Sequence, residues 1–153
     1  MSNGLSSRYI AKTLPMTHNY HSKRHGEIEL AIQNGVVICR PMGAFNLDGV
    51  INYEKVFAEK VRSFNSKKWA LLNQYKEFEI CGPEVIKRIR SQLVWSQAHG
   101  CQVIGFETFN TVQEYFVRQV TKDIPFKHVL VFSEQQSTEF QIAEINNKLS
   151  GED

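Results

Sequence analysis

The dipeptide Asn34-Gly35 lies between two apolar runs and constrains this chain more than any other feature. Asn and Gly both tolerate positive φ, so the pair favours the tight turn whose twist matches two antiparallel strands. Before it, Glu27-Ile28-Glu29-Leu30-Ala31-Ile32 alternates polar and apolar, as a half-buried strand does. After it, Val36-Val37-Ile38-Cys39-Arg40 reads as the returning strand, ended by Pro41. A β-hairpin is the expected start of the ordered chain.

Strand and helix signals then alternate. Residues 44–51 read as a loop. A helix within about residues 50–64 follows from the spacing of Tyr53, Val56, Phe57, Val61 and Phe64. Trp69-Ala70-Leu71-Leu72 is a continuous apolar run, the mark of a strand covered on both faces. The connection from Gln74 to Cys81 turns Phe78 inward. Gly82-Pro83 opens a second helix, because Pro at the first helical position loses no needed hydrogen bond. Its expected buried stripe is Val85, Ile86, Ile89, Leu93 and Val94, and Gly100 ends it.

Residues 101–106 are the next strand. Asn110-Thr111-Val112-Gln113 matches a capping box, with Val112, Tyr115, Phe116, Gln119 and Val120 as the stripe behind it. Residues 127–132 form a last strand, and Ser133 caps a final helix carrying Phe140, Ile142, Ala143, Ile145 and Leu149. The order ββαβαβαβα predicts an α/β domain over 26–150. It would hold a mixed sheet of about five strands, the later ones parallel, flanked by about four helices.

Composition excludes several classes. Of 153 residues, 42% are hydrophobic and ten are Phe, enough for a core and too many for a disordered chain. A net charge of +2 gives no electrostatic footprint for nucleic acid, and no apolar stretch is long enough to span a membrane. Three cysteines make no disulfide framework, so a reducing compartment is expected, and the cytoplasm is the simplest one. Residues 1–25 hold Arg8, Lys12, Lys23 and Arg24 without an acid, and read as a mobile basic extension. Their composition also suits an organelle transit peptide, and Met16 offers an alternative start of the chain.

The element order resembles the STAS family, which includes anti-sigma-factor antagonists and the cytoplasmic domains of sulfate transporters. The resemblance covers about residues 27–149. Residues 36–43 are similar to the family's second strand and its following Gly, and residues 69–73 to a strand that usually ends in Asp. Phe78-Glu79-Ile80-Cys81-Gly82 matches the segment that reads apolar residue, Asp, Ser, Ser or Thr, Gly at a helix start. In the antagonists the Ser before that Gly is phosphorylated and switches partners. Cys81 stands there in this chain, preceded by Ile80, with Glu79 for the usual Asp and Asn73 for the earlier one. The resemblance therefore implies a non-enzymatic domain that binds another, regulatory protein without the Ser/Thr phosphoswitch. The implied contact surface is Phe45, Asn46 and Asp48 with Tyr75, Lys76, Phe78 and Glu79.

Two alternatives come from other classes. Exposed amides at Gly82, beside Cys81 and Glu84, are suited to a small anionic or lipidic ligand. The same helix dipole would favour a Cys81 thiolate, which suits a redox sensor or a thiol enzyme. A phosphatase loop is excluded, because the Arg that would wrap the phosphate is replaced by Lys87.

Cys39 and Cys101 read as apolar strand residues. Without a Cys-x-x-Cys pair no zinc or redox pair is expected. His18, His21 and His25 have helical spacing in a segment with no helix signal, so neither a metal nor a cofactor is expected. Lys67, Lys68, Lys87, Arg88 and Arg90 read as solvated charge. Nothing in the sequence fixes the oligomeric state.

Overall fold

A computed structural model describes residues 9–11, 24–80 and 82–151. The elements are β1 (Tyr9–Ala11), β2 (Glu27–Gln33), β3 (Val36–Ala44), α1 (Leu47–Phe64), β4 (Trp69–Gln74), β5 (Phe78–Glu79), α2 (Pro83–Ala98), β6 (Cys101–Glu107), α3 (Thr111–Thr121), β7 (His128–Phe132) and α4 (Thr138–Ser150). The main sheet runs β1-β2-β3-β4-β6-β7, and β5 pairs beside β3 off that path.

Local chemistry sets the hairpin. Asn34 and Gly35 both have positive φ, at 52° and 79°, and Gln33 pairs with Val36 across the turn. β2 and β3 are antiparallel, whereas β3, β4, β6 and β7 are parallel. These last four strands follow chain order across the sheet. Right-handed crossovers stepping in one direction carry their helices over one face. Accordingly α1, α2 and α3 share a core with Val37, Cys39, Trp69, Leu71, Ile104 and Phe106.

The opposite residues of the same strands, Val36, Ile38, Ala70, Leu72 and Val103, meet Ile142, Ile145 and Leu149 of α4. The period-2 alternation thus feeds two cores, and burial of each large apolar side chain stabilises the fold by roughly 1.5–3 kcal/mol. α4 sits close to the sheet because Gly105 has no side chain. A Cβ there would come within 2.9 Å of both Ile145 and Phe132.

The expected α/β architecture is present, with differences in detail. β3 does not end at Pro41 but runs on to Ala44, because Pro41 pairs opposite Ile28 past the last β4 pair at Cys39, and the connection after β4 contains the short strand β5. Within the segment read as a mobile extension, Tyr9–Ala11 pairs antiparallel with Ile28–Leu30, filling the open hydrogen-bonding edge of β2. His25 also belongs to the domain, since its N–H donates to Asn46 Oδ1. Met16, His18 and His21 lie outside the described residues.

α1 begins at Leu47, ahead of the expected start, because the Asn46 side chain accepts from the Gly49 N–H and caps it. α4 begins later than expected, capped by Ser137 rather than Ser133. Ser133 Oγ instead accepts from the Gln135 N–H in the turn that carries the chain to the other face. The buried stripes are also shifted. Val94, Val112, Tyr115 and Phe140 are exposed, while Gln92, Ser96, Gln113 and Gln141 are buried.

Candidate functional site

The two segments expected to form a partner surface stand together at the carboxyl end of the parallel strands. Gly43 N–H donates to Glu77 O at 2.8 Å, and β5 pairs with β3 through Gly43–Phe78 and Ala44–Glu79. Gln113 clamps the connection from beneath. Its Nε2 donates to the carbonyls of Tyr75 and Phe78 at 2.9 and 3.1 Å, and its Oε1 accepts from Phe109 N–H at 2.8 Å. The sequence shows Gln113 only as part of a capping box, so its reach to the neighbouring connection is not visible there.

The aromatic members of that surface are not available to a partner. Phe45, Tyr75 and Phe78 are each no more than 5% exposed. Phe45 packs against Tyr53 and Phe78, and Tyr75 against Phe78, Phe106 and Phe116, with ring centroids 4.8–6.1 Å apart. Their burial has a physical reason: rings from two loops, α1, β6 and α3 meet there, and each is worth more in contact with the others than in water. Asn46 is occupied as the α1 cap, and Asp48 is a half-buried member of the first turn. Lys76, Glu79, Gly82 and Glu84 are exposed, as is Glu77 between them. Cys81 lies outside the described residues. Gly82 is the N-cap of α2, with Pro83 and Glu84 in its first turn.

The other two thiols are shut in. Burial pushes Cys39 up to about 12, against a weaker opposing effect from its hydrogen bond to the Tyr53 hydroxyl. Burial raises Cys101 further still. Burial likewise raises Tyr53 and Tyr75 well above the usual phenol value. A thiol reading therefore rests on Cys81 alone. Two of the basic residues read as solvated charge are held by neighbours: Arg88 forks onto both oxygens of Glu54 at 2.7 and 3.0 Å, and Arg90 donates to Val120 O. Among the described residues no group of three or more His, Cys, Asp or Glu side chains is placed to hold a metal ion.

Across the sheet from the aromatic rings, on the α4 side, is a cleft of about 470 Å³. It is lined by residues of β2, β3, β4 and β6, by the Lys76-Glu77 connection, and by Glu134 and Thr138 on the way into α4. Its floor is a polar chain. Arg40 donates to Glu29 at 2.9 Å and to Gln74 Oε1 at 2.6 Å. Gln74 Nε2 donates to Thr138 Oγ1 and to Gln141 Oε1 at 3.0 and 3.2 Å. Gln141 Nε2 donates to Glu107 Oε2 and to Gln136 O, both at 2.8 Å. Gln141 is fully buried and Gln74 nearly so.

Around this floor stand Glu29, Glu77, Glu107 and Glu134, against Arg40 and Lys76, so the cleft carries a net negative charge. The sequence alone singles out none of these floor residues as a site. The available signal is Gln141 at an inward position of the last helix and Gln74 at the end of an apolar strand.

Comparison with protein-family models, with curated proteins and with solved structures finds no match.

Proposed function

We propose that this chain is a non-enzymatic, STAS-like regulatory domain that binds another protein at the carboxyl end of its parallel strands. The observation that carries the reading is the locked ridge: two connections tied by Gly43–Glu77, by the β3–β5 pairing and by the Gln113 clamp. Such a surface is already ordered, so a partner meets little conformational cost on docking. With the aromatic rings underneath, the docking groups are Lys76, Glu77, Glu79 and the start of α2, with the acidic cleft beside them. A partner segment carrying a basic side chain suits that cleft.

Ile80 and Cys81 offer no hydroxyl, so a Ser/Thr phosphoswitch at the family's usual position is not part of the proposal. The test is affinity capture from the native host with wild-type, Lys76→Glu, Glu77→Lys and Lys148→Glu baits. A partner lost with the first two and kept with the third, which lies on α4, supports the ridge. A partner held equally by all four overturns it.

The cleft volume favours one second reading, a small ligand in place of a protein segment. The lining charge then selects a small organic cation rather than the anion suited to the Gly82 helix start. A melting shift with polyamines that disappears in Glu107→Gln would support it. Shifts with anions only would return the site to Gly82.

A further inference from the structure

We propose that β7 pairs with the β7 of a second copy, joining two sheets across a two-fold axis into one. The proposal does not depend on the docking ridge. The two edges of the sheet differ. β2 is covered by β1, but among the described residues no strand lies beyond β7. His128–Phe132 has no acidic or basic chain other than its histidine, no proline and no bulge against β6. It lacks the devices that keep an exposed edge from pairing.

Apolar surface is exposed on β7 itself and on the helices before and after it in the chain. Among the described residues eight large hydrophobic side chains are exposed, and five of them belong to α3, β7 and α4. They are Val112 and Tyr115 on α3, Val129 and Val131 on β7, and Phe140 on α4. Helical spacing alone assigns Val112, Tyr115 and Phe140 to buried stripes, so the chain carries more apolar pattern here than one copy covers.

The strand is complementary to itself. Pairing two copies antiparallel about Leu130 sets Val129 opposite Val131 of the second copy, and Val131 opposite Val129. Leu130 and Phe132 face the α4 core, so both valines project on the α1–α3 face and four of them close together. The charges agree as well: Lys127 at the start of the strand meets Ser133 and Glu134 at the end of the other. Such a contact uses the same patch on both copies and closes as a dimer.

The test uses the full chain in analytical ultracentrifugation. Wild type should sediment as a concentration-dependent dimer. Val129→Glu and Val131→Lys, both at exposed positions, should each give a folded monomer with unchanged circular dichroism. Mixed together, these two variants should dimerise again. The carboxylate introduced in one copy then faces the ammonium introduced in the other, while the second cross-strand pair stays Val–Val. A monomeric wild type, dimers that persist in either variant alone, or a mixture that stays monomeric would each overturn the proposal.

Discussion

The same end of the sheet carries two opposite solutions on its two faces. On the α1–α3 side, Phe45, Tyr53, Tyr75 and Phe78 close over a hollow of about 10 Å³, room for about one water at most. On the α4 side, Arg40, Gln74, Gln141 and Glu107 floor a cleft of about 470 Å³. The first region is tight because its groups are apolar and gain by excluding water. The second stays open because its buried amides satisfy one another and do not collapse onto the charges above them. Aromatic packing ties the connections together, and the neighbouring polar face stays open to solvent.

The contrast can be broken by substitution. Among the substitutions the largest effect is expected from Phe78→Ala, which removes a ring shared by the two connections and should cost about 3–5 kcal/mol in urea unfolding. A loss under about 1 kcal/mol would mean the corner is not the structural side.

Next comes pH. The unfolded thiols ionise near 9.0, while burial holds Cys39 protonated up to about 12 and Cys101 higher. The folded state therefore binds more protons than the unfolded chain above pH 9.0. Stability is complete below pH about 9 and falls toward pH 12, by about 1.4 kcal/mol per pH unit for each thiol. Denaturant titrations at rising pH check this, and Cys101→Val should reduce the slope by one thiol's share while leaving that of Cys39.

Gln141→Ala comes third, at about 1–3 kcal/mol, because Gln74 and Glu107 lose their buried partner. A neutral result would show that water replaces the amide and that the floor is not fixed. Smallest is Glu134→Gln on the cleft rim, within about 0.5 kcal/mol of wild type in stability. It should nonetheless weaken capture of a basic partner or cation, and unchanged capture would remove the rim from the recognition surface.

What the sequence reveals follows the range of the interactions. The hairpin is legible because Asn34 and Gly35 adopt their positive φ by local preference. The central strand is legible because Trp69–Leu72 is buried on both faces. The start of α4 is not, since Ser133 and Ser137 are equally good caps and the choice is made by where Ile142 and Ile145 meet the sheet. β1 leaves no pattern, because three paired residues need no periodicity. The candidate surface is half legible: the two connections do meet, but which aromatics they bury depends on Tyr53, Phe106 and Phe116, far away in the chain. Arg40, Gln74, Glu107 and Gln141 come from four separate elements, and no short motif joins them.

One consequence concerns synthesis. Among the described residues, 138–150 form the only helix over Val36, Ile38, Ala70, Leu72 and Val103. Until that stretch has left the ribosome, the nascent sheet shows a bare greasy side to its surroundings. A chaperone that binds such surfaces has its opportunity then, and loses it when the last helix closes.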